Sequence, residues 1–414
     1  MTSARVKTQK KRPIGEMHGG NGYLSWLEAN VRASGSNGKV CMMTSVHPPF
    51  DTRIFHKEAQ TLVQAGYEVV LIAPYDKESE SVDGVHIMGL PRYKRRFYRP
   101  LNWWRILRTA LGQKADVYHF HDPELLPIGL LIKLFSGRPV IYDVHEYYPE
   151  MILTKEWIPA WSRRVISVLF EYLENRLASF IDALVVVNEK LAERFSEKGR
   201  VVAVANYWRI EEKVSGRTLK ATYGLKRKSY LVYAGLIASD RGIYQCMQAF
   251  ETLKCDDLHF VCAGRVDETV TSELRAILDG STPVPGFHYL GLLPYEAIMG
   301  LLQNALAGLL CLQPVPNYIL STPNKLFEYM GAGIPVIASD FPYIRDVVSS
   351  VDCGILVDPT STEAISAAMR YLLNHPDKAV KKGENGRRAV EEKYNWESEG
   401  RKLLRLYEEL LSAR

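Results

Sequence analysis

The chain has 414 residues, 47% of them apolar and 24% charged, with 52 lysines and arginines against 47 aspartates and glutamates, for a formal net charge of +5. That length exceeds one ordinary core and predicts two domains of similar size, while the composition excludes fibrous and wholly disordered classes. The mild basic excess suits an anionic ligand or a membrane surface, without by itself selecting either over nucleic acid. In chain order, residues 1–38 are polar and glycine-bearing and read as a flexible arm. Arg5, Lys7, Lys10, Lys11 and Arg12 lie in it with no apolar run behind them, so no secretory leader is expected.

From Val40, short apolar β-rich runs alternate with helical patterns: VCMMTSV, a helix through Phe55 to Gln64, then EVVLIAP, VHIMGL, DVYHFHD, PVIYDVH and ALVVVNE. This alternation predicts an α/β fold with a parallel sheet covered by helices on both faces. The pattern pauses in the polar stretch from Asn206 to Lys228. It resumes with YLVYAG, LHFVCAG, FHYLG, AGLLCL, PVIASD and GILVDP, which predicts a second sheet. Leu403, Leu406 and Leu410 recur at helical spacing in a final amphipathic helix. The expected division is an arm over 1–38, one Rossmann-like domain over 39–210, a second over 211–395, and a closing helix over 396–414. The six cysteines lack a C-x-x-C pair and read as reduced core thiols of a cytoplasmic protein. No apolar run reaches the ~18 residues of a membrane span.

Ligands of open parallel sheets bind beyond the carboxyl ends of the strands, so the residues after each apolar run are the candidates. In STPNKLFEYMGAGIPVIASD, residues 321–340, Thr322 reads as an N-cap, Pro323 as the first helical residue, and Gly331 and Gly333 as the helix end. The free N–H groups of such a helix and the charge of Lys325 form an anion site, with Glu328 three residues on over the same face. The alternative is an ordinary capped helix with a surface ion pair. In YAGLIASDRG a strand ends at Gly235, and Arg241 is suited to bidentate phosphate contact. In HFHDPEL, His119 and His121 point to one side of a strand. His121, just past the strand end, is a candidate for contact with a ligand or a reacting centre, against a core histidine or a metal site shared with His145 and Glu146. Asp51 and Arg53, after the first strand, either line the acceptor side or anchor their loop.

These motifs, in the order HDPEL, YAGLIASDRG, AGR, STPNKLFEYMGAGIPVIASD and GILVDP, resemble glycosyltransferase family 4 from Val40 to the last helix. The resemblance implies a GT-B fold of two Rossmann-like domains facing across a cleft, retention of anomeric configuration, and no bound metal. It implies a nucleotide-sugar co-substrate and polysaccharide or glycoconjugate biosynthesis. By resemblance, His121, Arg241, Lys325 and Glu328 are the catalytic set, with Glu328 on the ribose and Arg241 on the diphosphate. Gly235, Gly264, Arg265, Thr322, Pro323, Asn324 and Leu326 border the donor. Leu320 stands where the family has a first glutamate, Leu236 where it often has an arginine, and the first loop lacks the family's Gly-Gly.

The segment 91–108 concentrates Arg92, Lys94, Arg95, Arg96, Arg99, Arg105 and Arg108 with Trp103 and Trp104 and contains no acid. It reads either as an interfacial patch serving a lipid-linked acceptor at the cytoplasmic leaflet or as a basic loop with tryptophans in the core. Nucleic-acid binding is disfavoured because no recognition motif accompanies the charge. Two rival activities share the architecture: a sugar-nucleotide epimerase, and a non-catalytic partner or sensor suggested by Leu236 and Leu320.

Overall fold

A computed structural model describes residues 37–93, 100–155, 157–209, 228–268 and 270–413. The basic cluster of residues 1–36, the charges at 94–99 and most of the polar stretch between the sheets lie outside the described residues. The first sheet has eight strands: β1 (Lys39–Met43), β2 (Glu68–Pro74), β3 (Ser79–Val82), β4 (Val85–Leu90), β5 (Val117–Phe120), β6 (Val140–Val144), β7 (Ala183–Val186) and β8 (Arg200–Ala203). They run in the order β3-β4-β2-β1-β5-β6-β7-β8, and every pair is parallel except β3 with β4. The second sheet comprises β9 (Tyr230–Ala234), β10 (His259–Ala263), β11 (Phe287–Tyr289), β12 (Ala307–Leu310), β13 (Val336–Ser339) and β14 (Gly354–Val357). Its order is β11-β10-β9-β12-β13-β14, all parallel.

Strand alternation explains why each sheet is apolar on both sides. Val40 and Met42 of β1 face one core layer while Cys41 and Met43 face the other, and in β9 Tyr230 and Val232 divide from Leu231 and Tyr233 in the same way. Two strands went unread in the sequence. β3 is SESV, an edge strand of mostly polar residues, and β8 is a partly exposed RVVA at the opposite edge. β3 packs only Val82 against a core layer and so carries no apolar run, whereas β8 lends Val202 to one layer and Val201 and Ala203 to the other while staying partly exposed at the edge. The helix expected over Phe55 to Gln64 is continuous, but its first part, Ile54–Ala59, is a wider π-type turn.

The last helix, Trp396–Ser412, returns to the first domain. Trp396, Leu403, Leu406, Tyr407 and Leu410 join Val40, Leu62 and Val69 in one core layer, and Trp396 Nε1 donates to Thr61 Oγ1 at 2.9 Å. The chain therefore passes between the domains twice. The two passages lie side by side, since Trp208 bridges to Asn395 and the Trp396 amide donates to the Trp208 carbonyl at 2.9 Å. Trp208 also packs over Gly331, where a Cβ would lie 2.4 Å from its ring.

Candidate functional site

Between the domains lies a cavity of about 670 Å³. The first domain lines it with His47, Asp51, Thr52 and Arg53 after β1, His145, Glu146 and Tyr147 after β6, and Val187 and Asn188 after β7. The second adds Asp240 and Arg241 after β9, and Leu312, Val315, Asn317, Tyr318, Ser321, Thr322, Pro323 and Asn324 after β12. Every one of these groups follows a strand at its carboxyl end, as expected for parallel sheets.

On the second-domain wall, Arg241 stacks its guanidinium over the Tyr318 ring at 5.2 Å, and its Nε is buried without a hydrogen-bond acceptor. Tyr318 is held in turn by donating to Asp240 at 3.0 Å. Lys325 lies over the end of β9. A Cβ on Gly235, whose φ is +132°, would fall 2.1 Å from its Nζ, so only glycine leaves room there for the ammonium. Burial lowers the Lys325 pKa, partly countered by Glu328 on the same helix, while Arg241 adds a second positive charge that lowers it further. A helix N-terminus and a half-buried guanidinium whose Nε has no acceptor thus border the cavity, with the half-buried Lys325 ammonium close enough to feel the Arg241 charge, an arrangement suited to a diphosphate.

Several expected site residues sit elsewhere. The helix begins at Asn324 with Pro323 in the cap position and no side-chain cap. Thr322 is therefore not the N-cap, and its hydroxyl instead accepts from Asn188 Nδ2 across the cleft at 3.2 Å. Leu326 is fully buried in the core and its amide already donates to the Pro323 carbonyl, so it has no free group for a ligand. Gly264, at φ +144°, is required because a Cβ would lie 1.8 Å from the Gly235 carbonyl oxygen. That is a backbone-to-backbone contact rather than a ligand contact. Arg265 is exposed and outside the cavity lining.

On the first-domain wall, Arg53 borders the cavity but its guanidinium is fully engaged. It donates to Asp143 at 3.0 and 3.1 Å and to the Val204 carbonyl at 2.9 Å, and it lies 2.9 Å from Glu58. Asp51 accepts from the amides of Arg53 and Ile54 at 2.8 and 3.0 Å. Of the two readings offered for this pair, the anchoring of the loop accounts for these contacts. His121 is 0% exposed and lies behind the wall, with Nδ1 3.3 Å from Asp143 and its ring stacked on His145 at 5.4 Å. His145 is the ring that faces the cavity, so the expected contact between His121 and the sugar is corrected to one layer of separation. His119 lies deeper still, with Nδ1 2.8 Å from the Tyr407 hydroxyl of the last helix.

Glu58, His119, His121 and Asp143 bring donor atoms within 4.8 Å of one another, all buried. This is a different quartet from the one considered with His145 and Glu146, and Arg53 already bridges its two carboxylates. Burial drives Glu58 toward its neutral form, reinforced by the charge of Asp143. Burial would do the same to Asp143, but Arg53 and the neighbouring histidines overcome it and hold that carboxyl well below its usual range.

The pKa values of His145 and His47 shift in opposite directions. Burial takes His145 down to about 3, leaving it a neutral ring at physiological pH. Burial also disfavours the charged form of His47, but the hydrogen bond to Asp51 and the charges of Asp122, Asp51 and Asp143 outweigh it, and its pKa rises. Burial raises the Glu146 pKa despite a hydrogen bond from Asn317. His47, Asn317 and Tyr318 carry no motif that marks them as site residues in the sequence, and Glu146 is read there only as a possible metal ligand. The signal that marks them is position, since each follows directly on a strand or the cavity helix that comes after it.

Leu320, where a glutamate was expected by resemblance, packs against the core of the first domain beside that domain's helices. An apolar contact between the domains replaces an acidic group at that point. In the basic segment, helix Pro100–Gln113 half-buries Trp103 and leaves Trp104 70% exposed, while Arg92 pairs with Asp76 at 2.8 Å.

Residues 52–206 match the family described as glycosyl transferase 4-like domain, and residues 217–389 match glycosyl transferases group 1. The α-maltose-1-phosphate synthase of Mycolicibacterium smegmatis is 24% identical over 407 residues, covering 89% of this chain and 98% of the relative. The MMP α-(1→4)-mannosyltransferase of Mycolicibacterium hassiacum is 24% identical over 326 residues, 74% of each chain. Among solved structures, sucrose-phosphate synthase from Thermosynechococcus elongatus superimposes with a TM-score of 0.71 at 16% identity, covering 91% of this chain and 100% of that one. Anabaena HepE in complex with UDP-glucose gives a TM-score of 0.68 at 13% identity, covering 90% and 100%.

Proposed function

The chain belongs to the GT-B glycosyltransferases of the family 4 type, and from that premise we propose that it moves a sugar, without a metal, from a nucleoside-diphosphate donor to a lipid-linked acceptor. The observation that carries the donor assignment is the Arg241 guanidinium, its buried Nε without an acceptor, near Lys325 and the start of helix Asn324–Gly331. Anabaena HepE, of the same fold, is solved with UDP-glucose, in keeping with a donor of this class.

In this reading the acceptor hydroxyl oxygen attacks the anomeric carbon as the bond from that carbon to the diphosphate oxygen breaks. The proton passes to the departing phosphate oxygen on the same face, which retains configuration. Arg241, Lys325 and the helix N-terminus stabilise the charge that grows on the diphosphate, and one such contact is typically worth ~3 kcal/mol of barrier. Glu328 binds the ribose. Neutral His145 faces the sugar and His121 behind it fixes the ring, so the role expected of His121 is exerted through His145. Arg53 supplies positive charge next to Asp143 and Glu58, which makes a metal in that quartet unnecessary. Asp51 and His47 form the acceptor-side wall. The paired passages at Trp208 and Asn395 act as a hinge that closes the cavity against water.

Transfer is favoured over epimerisation by the family assignment, and over a non-catalytic role by the Arg241 Nε that is buried without an acceptor. Among the described residues no helix is long and apolar enough to cross a membrane. Access to a lipid-linked acceptor is therefore proposed as peripheral, at the cytoplasmic face. The test is thermal stabilisation by UDP, GDP, ADP, CDP and dTDP, with Lys325→Met and Glu328→Gln in parallel. A nucleotide present at a hundredfold over its Kd adds ~2.7 kcal/mol of stability. One diphosphate that stabilises the wild type and fails on both variants is the expected result. Equal stabilisation of all three proteins would sink the donor-site assignment.

A further inference from the structure

The helix Ala160–Ala178 is turned inside out relative to an ordinary surface helix. Its buried face carries Ser162, Ser167 and Glu174, which are held by polar contacts. The Ser162 and Ser167 hydroxyls donate to the carbonyls of Pro159 and Pro149, and Glu174 accepts from Tyr142 at 2.8 Å and Arg194 at 2.6 Å. Its outward face carries Trp161, Val165, Val168, Leu169 and Tyr172, each between 55% and 84% exposed. These positions fall on one side of a 3.6-residue helix along about 17 Å of its axis. Leu134 and Phe135 of helix Leu126–Ser136, which contacts this helix, and Phe180 beyond the helix end are exposed as well. Scattered exposed apolar residues need no explanation, but a contiguous face of this size marks an interaction site.

Its place in the fold and its charges identify the occupant. Helix Tyr148–Thr154 packs along this helix and lines the cavity with Met151 and Thr154, so a single helix lies between the patch-bearing helix and the site. Arg164 and Arg176 are exposed near the two ends of the stripe, while the exposed acid between them, Glu171, is 3.7 Å from Arg194. The excess of arginine over acid along the stripe matches an anionic surface, whereas a second copy of the same helix would bring like charge near like.

We infer that the outward face of helix 160–178 is a membrane-docking surface, inserting its apolar side chains into the headgroup region of a bilayer containing anionic lipid. There it presents the cavity to an acceptor carried on that bilayer. Tryptophan and tyrosine favour this depth, and the flanking arginines meet lipid phosphates. The inference rests on the lipid-linked acceptor proposed above and gives it a surface distinct from residues 91–108.

The test is co-sedimentation of the full chain with vesicles of phosphatidylcholine and phosphatidylglycerol in equal parts, comparing wild type with the triple variant Val165→Ser, Leu169→Ser, Tyr172→Ser. All three positions are exposed, and an unchanged melting temperature verifies the fold. Wild type is expected to sediment and the variant to partition at least about tenfold less, as loss of that much apolar contact implies. Stabilisation by the nucleoside diphosphate should be equal in both. A wild type that stays in the supernatant, or a variant that sediments equally, overturns the docking surface whatever the nucleotide result. A wild-type dimer in light scattering that the triple variant dissociates, without vesicle binding, overturns it in favour of self-association. Failure of nucleotide stabilisation in both proteins, with vesicle binding intact, would instead strike at the donor reading.

Discussion

Replacing Arg241 with alanine separates a ligand contact from a structural one. In the free protein the Arg241 guanidinium has a buried Nε with no acceptor, and its visible partner is the Tyr318 ring at 5.2 Å. A cation over an aromatic ring contributes about 0.5–1 kcal/mol, and the desolvated Nε offsets part of that. Arg241→Ala should therefore change the stability of the free protein by less than about 1 kcal/mol. With a diphosphate bound, the same guanidinium makes two charged hydrogen bonds worth about 1.5 kcal/mol each or more, so the variant should bind the nucleotide about a hundredfold more weakly. Turnover should fall further, by about 100- to 1000-fold, because charge on the leaving diphosphate grows in the transition state. Arg241→Lys keeps the charge but not the planar fork and should fall between the two. Calorimetric titration of the nucleoside diphosphate, a melting curve of the free protein, and nucleotide release during turnover give the three readings. A variant that loses several kcal/mol of stability and binds nucleotide normally would refute the reasoning and make Arg241 a structural residue.

The acid side of the stability profile is set in part by His145, and His119 is likewise held well below its usual pKa by burial and the neighbouring His121. Folded pKa values below the unfolded value of about 6.5 mean that each contribution is full above pH 6.5 and is lost as pH falls through the folded pKa, which for His145 is about 3, at ~1.4 kcal/mol per pH unit for each group. Denaturant melts of wild type and His145→Gln between pH 7 and 4 should therefore converge as pH falls, and parallel curves would show that His145 does not titrate in this way. Trp396→Ala removes a buried indole and its hydrogen bond to Thr61 and should cost about 3–5 kcal/mol, since it detaches the last helix from the first domain. A melting temperature lowered by only a degree or two would mean that this helix contributes little to the core.

Much of the architecture is legible in the sequence because it is written locally. A strand buried on both faces must be apolar at every position, so runs such as VCMM and YLVYA declare themselves, whereas the edge strand SESV does not. Glycine at strand ends is equally legible, but its reason is not. Gly235 makes room for the Lys325 ammonium, while Gly264 makes room for the Gly235 carbonyl, and both read alike as AG after a strand. The helix start near Thr322 was placed one residue early because threonine is a good cap in isolation. Its hydroxyl instead meets Asn188 of the other domain, 134 residues away.

The sequence by itself determined the class, the two sheets, and the strand ends from which the cavity is built, because period and chain order are properties of neighbours along the chain. Only the tertiary structure decided which side chains face that cavity. The β5 alternation puts His119 and His121 on one side of the sheet, but the last helix covers that side, with Tyr407 on His119 and His145 in front of His121. Arg53 is drawn inward by Asp143, 90 residues away, and Leu320 is turned to the first domain's core. The helix 160–178 likewise has one polar and one apolar face in sequence, and nothing local says which of them the fold will cover. Facing is set by contacts between residues distant in the chain, and those contacts exist only once both domains are folded.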